Sequence, residues 1–503
     1  ARVSSLEALS TTSTVSSTPG AAASNPSKNP SRWRPEVAAE LARLSAPGAT
    51  AATFTVAGDV RRTFEAAGFV VAKRAGYGRK REMLAARLSR QPQRSRRAPW
   101  FESDQRPLRR GAEVAVIGAG IAGASLACAL SRVGLSPTLI DPLGIAGGAS
   151  GNPAGLIMPR LDLGGTPAAR FFRSAHVQAV AAIDRLDTDG ARFFNRCGAL
   201  LKATSADGRL KQEKIAAAGL LPTDWMELRP DGLFFPQAGV IDPAEFCRQL
   251  AAGAELVRAR ALTTQDDGDG VAVRFGDGAR RSFDAVILAN GREALRFFEA
   301  RTLPLRGVMG QIDHFPDAET SPHAIAFGPY CAPAPAGGLI IGATNEAIAP
   351  GADAFVQASA TRANIEALRA GAPEIADRLS AEYSRPRAAI RCQTLDRLPV
   401  VGPLPDWDAY GALYDDLRTG TRRDYAAGPM AHRRYILSGL GSRGLVTAPL
   451  LAAILAAELT GAPSPVARDV AQALHPARFF IRDLRRARMK GSKPDLAEGS
   501  TRG

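Results

Sequence analysis

The residues best placed to do chemistry in this sequence are glycines rather than acids or bases. In Val114-Ala-Val-Ile-Gly118-Ala-Gly120-Ile-Ala-Gly123 an apolar run meets three glycines and continues into Ala-Ser-Leu-Ala-Cys-Ala-Leu130. Gly118 permits a sharp turn, Gly120 lets the backbone approach a pyrophosphate, and Gly123 lets a helix pack tightly on a strand. The free N–H groups at the start of that helix, with its dipole, would face the phosphates. A second apolar run, 137–140, ends in Asp141, eighteen residues beyond Gly123. A ribose-binding carboxylate is expected there. Strand, turn, helix, second strand and acid in this order predict a dinucleotide site.

Two other segments offer backbone rather than side chains. Gly147-Gly-Ala-Ser150-Gly151-Asn152-Pro-Ala-Gly155 is a loop of small residues whose amides can line a second part of an extended cofactor. Tyr435-Ile-Leu-Ser-Gly439-Leu-Gly441-Ser442-Arg443-Gly444 precedes an apolar helix expected from about Thr447 to Leu459, which repeats the strand, glycine turn and helix N-terminus. No Ser, His and Asp constellation is visible. The five histidines (His176, His314, His323, His432, His475) are scattered and read as structural. The five cysteines contain no CxxC pair, which argues against a zinc site or a disulfide framework and fits a reducing compartment such as the cytoplasm. No metal is expected.

The elements that position these residues alternate through most of the 503 residues. Asp284-Ala-Val-Ile-Leu-Ala-Asn-Gly291 reads as a further parallel strand of the same sheet. Residues 156–238 and 300–385 lack nucleotide signatures and read as a cap over the cofactor. No apolar run reaches the length of a membrane span without glycine-turn signals, so no membrane is expected. Upstream, helical spacing over 34–44 and 60–67 alternates with strand-like runs at 51–56 and 69–74, and 81–85 reads as an edge strand. Residues 1–24 and 486–503 read as disordered ends. From Lys73 to Arg110 there are thirteen Lys or Arg and three Asp or Glu, and 87–110 reads as a basic linker. With a net charge of +15, an anionic partner is indicated, nucleic acid first. Phosphate contacts are expected from the Lys73–Arg110 segment, Arg94, Arg96 and Arg97 among them, and from the basic tail His475 to Lys490.

These motifs resemble a known superfamily. The Gly118 unit, the stretch Arg391 … Leu398-Pro399 … Gly402 and the Gly439–Gly444 turn resemble the FAD-dependent amine oxidases related to glycine and D-amino-acid oxidases. Within it, Gly148-Ala-Ser-Gly-Asn152, Gly439–Gly444 with Ala448-Pro449-Leu450-Leu451, and Pro476-Ala-Arg-Phe479 are similar to the family of bifunctional tRNA 5-methylaminomethyl-2-thiouridine biosynthesis proteins. Phe54-Thr-Val-Ala-Gly58, Val60-Arg-Arg62 and Gly76–Met83 resemble the end of that family's methyltransferase domain, and Lys28-Asn-Pro30 with Trp33 the segment before it. The resemblance covers about residues 25–485. It implies an α/β chain: an FAD-binding Rossmann-like domain with an α+β substrate domain over 111–485, preceded at 25–86 by a C-terminal fragment of a methyltransferase-like domain. The family places an S-adenosylmethionine-binding half before its Asn-Pro segment, and this sequence begins too late to include one. Methyl transfer by the chain as it stands is therefore not expected.

The resemblance also implies a reaction. FAD would oxidise the N-substituted glycine of 5-carboxymethylaminomethyl-2-thiouridine at the wobble position of tRNA, leaving 5-aminomethyl-2-thiouridine and glyoxylate. Arg391 stands where the superfamily usually grips a carboxylate, and a planar guanidinium does this bidentately. Arg443 is the second candidate. Gly118, Gly120, Gly123, Asp141, Ser150, Gly151, Asn152 and Gly155 are expected around the nucleotide, and Gly439, Gly441, Ser442 and Gly444 at the flavin. The alternative is an amine oxidase of free amino acids or sarcosine.

Overall fold

The computed structural model describes residues 35–45, 48–76, 81–89, 98–187, 193–419 and 423–491. The segment 1–24, Lys28 to Pro30, Trp33, the arginines Arg94, Arg96 and Arg97, and most of 486–503 lie outside the described residues. The chain divides into two compact units, Ala1–Arg97 and Ala98–Gly503.

In the first unit, helices α1 (Pro35–Leu44) and α2 (Gly58–Ala66) accompany strands β1 (Thr50–Thr53), β2 (Phe69–Ala75) and β3 (Glu82–Leu88). Apolar residues four apart, Ala38 with Ala42 and Val60 with Phe64, give each helix one buried face. Phe64 meets Phe69 edge-on at 5.3 Å. β3 corrects the expectation of an edge strand, because the sheet order is β1-β3-β2 with antiparallel pairing on both sides. Its charges, Glu82 and Arg87, point to solvent while Leu84, Ala86 and Leu88 are buried. Glu82 and Arg87 fall on opposite faces of the strand, each exposed near one of its ends.

The boundary between the units falls within the segment read as a linker. Its first residues complete β3, and from Ala98 the chain joins the second unit. There Trp100 is buried among Phe101, Tyr414 and Tyr425, and the Tyr410 hydroxyl donates to the Trp100 carbonyl.

The second unit is built on two large sheets. The first has six strands in the order Glu255–Val257, β5 (Ser136–Ile140), β4 (Glu113–Ile117), Ala285–Leu288, Met430–Ser438 and Val400–Pro405. All pair in parallel except the last. β4 is central and buried at every residue but its first, which explains its unbroken apolar run. Helix α3 (Ile121–Arg132) and helix Gly444–Thr460 share the main core on one face. The stretch Gly441–Thr460 is apolar enough and long enough to cross a membrane by composition, with a mean hydropathy of 1.4, yet 67% of it is buried in the fold. The glycine turn itself joins the helix and extends it beyond the expected start.

The second sheet has nine strands. Its longest pair, Leu305–Phe315 with Arg385–Thr394, is antiparallel over ten residues. Helix Ala358–Arg369 covers one side. Asp313, fully buried, is satisfied there by Thr361, Asn364 and Ser384. That network fixes the helix to the sheet while the opposite side of the long strand pair faces a cavity.

Candidate active site

The cavity has a volume of about 1330 Å³ and lies between the C-terminal ends of the parallel strands and the long antiparallel pair. At one end stands the glycine turn after β4. Gly118 has φ +111°, and a Cβ there would sit 2.7 Å from the Ala289 carbonyl carbon. Only glycine fits this crossing of two strand ends. Gly123 packs behind the turn, where a Cβ would lie 1.9 Å from the Gly118 carbonyl oxygen. α3 begins without a cap from its own N-cap residue, Gly120. Instead Ser150 Oγ accepts from the Ile121 N–H at 2.9 Å, bringing the second glycine loop to the helix start. Asp141 Oδ2 accepts from Ala119 N at 2.9 Å and Oδ1 from Leu143 N at 2.8 Å, so this carboxylate braces the turn as well as lining the cavity.

All the residues expected in the site line the cavity except Gly123 and Gly151. Gly151 instead supports the loop, since a Cβ there would meet the Ala146 carbonyl oxygen at 2.6 Å. At the far end, Gly439 and Gly441 adopt φ of +73° and +58° and lead the chain into helix Gly444–Thr460. The first N–H groups of a helix lack intrahelical partners and favour negative charge nearby.

Arginine dominates the side chains. Eight arginines line the cavity against two carboxylates, Asp141 and Glu293. Arg391, on strand Arg385–Thr394, donates to the Thr344 carbonyl at 2.8 Å and to Asn345 Oδ1 at 3.2 Å. It has no ion-pair partner among the described residues. Burial pulls its pKa below the usual guanidinium value, and Tyr330 offsets this in part. Burial pushes the Tyr330 hydroxyl up to about 12, so it stays protonated near neutral pH. Arg443 donates only a long bond, 3.5 Å, to the Met158 carbonyl. Its pKa is also lowered, first by burial and then by Arg160. Neither guanidinium has an ion-pair partner among the described residues, although Asp162 offsets part of the shift at Arg443.

Sequence reasoning missed Arg387. It donates to Asn152 Oδ1 and, at 2.8 Å, to the Gly148 carbonyl, tying the glycine loop to the second sheet. Arg387 and Arg391 are four residues apart and so lie on one strand face; that spacing was the available signal. Arg292, Asn290 and Tyr330 were also missed, because their segments pack here only in three dimensions. Asn290 Oδ1 and Arg292 Nη1 are buried without partners, and both residues line the cavity. Unsatisfied groups facing a roomy cleft, together with glycine turns that a Cβ would fill, suit an extended polar cofactor such as FAD. None of the five histidines lines the cavity. His176 and His475 are buried, and desolvation lowers their pKa to about 4 and about 3. Among the described residues no cluster of His, Cys, Asp or Glu could hold a metal.

Comparison with known proteins agrees with this geometry. A family model described as FAD dependent oxidoreductase matches residues 113–458. A model described as S-adenosyl-L-methionine-dependent methyltransferase matches residues 23–89. The tRNA 5-methylaminomethyl-2-thiouridine biosynthesis bifunctional protein MnmC of Chromohalobacter salexigens is 34% identical over 95% of this chain and 72% of its own length. The protein of the same name from Pseudomonas aeruginosa is 36% identical over 91% of this chain and 73% of its length. Among solved structures, glycine oxidase from Geobacillus kaustophilus aligns with a TM-score of 0.57 and 18% identity, covering 74% of this chain and 99% of the oxidase. Iminodiacetate oxidase from Chelativorans sp. BNC1 gives 0.56 and 22%, covering 72% and 98%. At such identities the structures speak for the fold alone. With the family model spanning most of the chain and the relatives aligned almost throughout it, the chain is an FAD-dependent oxidoreductase and belongs to the family of the bifunctional tRNA 5-methylaminomethyl-2-thiouridine biosynthesis proteins.

Proposed function

We propose that this chain removes the carboxymethyl group from 5-carboxymethylaminomethyl-2-thiouridine at the tRNA wobble position, giving 5-aminomethyl-2-thiouridine and glyoxylate. The observation that carries the reading is Arg391, a partly buried guanidinium without a carboxylate partner among the described residues, on the cavity wall formed by the second sheet. The oxidoreductase module is taken as residues 111–485, with its cap mainly in 156–238 and 300–385. The tRNA substrate and the five free cysteines are in keeping with a cytoplasmic setting.

Gly118, Gly120, Asp141, Ser150, Asn152 and Gly155 would hold the adenosine diphosphate part of FAD, with Gly123 and Gly151 shaping the turns behind them. Gly439, Gly441, Ser442 and Gly444 would lie along its pyrimidine edge. FAD, when bound, accepts a hydride from the carbon beside the substrate amine. Arg391 would hold the substrate carboxylate through a charge-assisted pair, which fixes the methylene between carboxylate and amine. Arg443 is the second arginine able to take that part. Hydrolysis of the oxidised carbon–nitrogen bond by one water then separates glyoxylate from the aminomethyl nucleoside.

The test is anaerobic mixing of the flavoprotein with undermodified tRNA, following loss of flavin absorbance and then analysing the nucleosides. Bleaching with formation of the aminomethyl nucleoside is expected. Far faster bleaching by free glycine or sarcosine than by tRNA would establish the amine-oxidase alternative instead.

A further inference from the structure

One group of residues at the edge of the cavity has no part in the reaction above. Arg306, near the start of its long strand, lies opposite Gln393, near the end of the other. In the amide orientation that satisfies both side chains, the Gln393 oxygen accepts from Arg306 Nε at 3.1 Å and Nη2 at 3.3 Å. The chain then turns through Leu395, Asp396 and Arg397. Arg306, Gln393 and Arg397 all line the cavity. The two arginines are exposed and have no ion-pair partner among the described residues.

The turn is held firmly in a costly shape. Arg397 has φ +62°, a left-handed conformation uncommon for a residue with a side chain. Arg478, only 9% exposed, clamps Asp396 through Nε and Nη2, both at 3.0 Å. Arg478 Nη2 also donates to the Leu398 carbonyl at 2.7 Å, as does the Thr394 hydroxyl at 2.7 Å. Glycine would adopt this turn more easily, yet the position presents a guanidinium to the cavity rim. Leu395, two residues before Arg397, is 56% exposed and adds an apolar surface to the turn.

The next pair inward on the same strand face is Val308 with Arg391. Two residues along a strand separate Arg391 from the rim by roughly 7 Å. A nucleotide whose side chain reaches Arg391 keeps its phosphates further out, toward the rim. We propose that Arg397 and Arg306 dock the phosphodiester backbone beside the wobble nucleotide, with Leu395 as a surface for an unstacked base. This rests on the tRNA reading above and adds the residues that distinguish a tRNA from a free amino acid.

The experiment measures affinity for undermodified tRNA against salt concentration, and kcat/KM for that tRNA and for the free carboxymethylaminomethyl nucleoside. Arg397→Gly and Arg306→Gln are compared with the wild type. Each variant should make the log–log salt slope shallower by about one phosphate contact. The ratio of tRNA to nucleoside kcat/KM should fall several-fold, whereas a merely structural role would lower both values together. Arg397→Gly should melt no lower than the wild type, since glycine accepts this backbone. Unchanged slopes and ratios in variants that still convert tRNA would overturn the docking role alone. Loss of FAD from Arg397→Gly would also overturn it by giving the residue to the cofactor. A wild type that neither binds nor converts tRNA would overturn both this proposal and the function on which it rests.

Discussion

The two sheets of the second unit present different groups to the cavity. The parallel sheet offers turns: Gly118, Gly120, Gly439 and Gly441 line the cavity with backbone. The antiparallel sheet offers side chains, with Arg387 and Arg391 projecting from one strand. Such turns leave little room for substitution where a Cβ would collide, as at Gly118 and Gly439, each with an atom 2.7 Å from that position. Side-chain recognition can be varied one residue at a time, so the same cofactor end can serve different substrates.

That contrast can be broken from either side. Gly118→Val should give the largest effect. Its side chain would enter space 2.7 Å from Ala289 backbone atoms, and purified protein should be colourless and fail to take up FAD. Arg391→Ala should leave FAD bound but lower the efficiency of flavin reduction by roughly ten- to a hundredfold, the loss of a charge-assisted pair worth about 1.5–3 kcal/mol. Arg391→Lys should recover only part, because a point charge lacks the fork. If Arg391→Ala bleaches as fast as wild type, the carboxylate grip passes to Arg443. Arg387→Met tests the join between the sheets. Without its bonds to Asn152 and Gly148 the glycine loop should loosen and weaken FAD binding by about tenfold, with reduction of the bound flavin little changed, as FAD titration and rapid mixing would show.

The smallest effect belongs to neither sheet. Burial, and next Arg443, lower the His176 pKa from 6.5 to about 4. The unfolded chain therefore binds this proton first. Its contribution to stability is full above pH 6.5 and is lost as the pH falls toward about 4. His176→Phe should flatten that part of the melting-temperature profile and leave turnover at neutral pH close to wild type.

The same contrast explains what the sequence revealed. The Gly118 unit was legible because strand, turn, helix and acid all fall between Val114 and Asp141, and each has a local physical reason. The Gly441 turn was legible by repetition of that logic. Arg391 came only from resemblance, and Arg387 not at all. A strand with one face on a cavity carries no composition signal that separates a ligand-binding arginine from a solvated one. Position in the sheet was equally hidden for β3, where 81–85 read as an edge strand and the partners on both sides are set by chain folding. Arg292 and Asn290 depend on contacts between segments far apart in sequence.

The order of strands in the parallel sheet also sets a timetable. β4 and β5 are made early, but the strand completing their neighbour's far side, Met430–Ser438, follows some three hundred residues later. The walls at Gly439–Val446 come later still. While the chain is being synthesised, the first glycine turn waits without its counterpart, and the edge of strand Ala285–Leu288 stays open. The cavity can close around a flavin only after residues 430–446 have left the ribosome, so loading of the cofactor follows synthesis of that segment, and a chain ending before Met430 would carry an unpaired sheet edge prone to association.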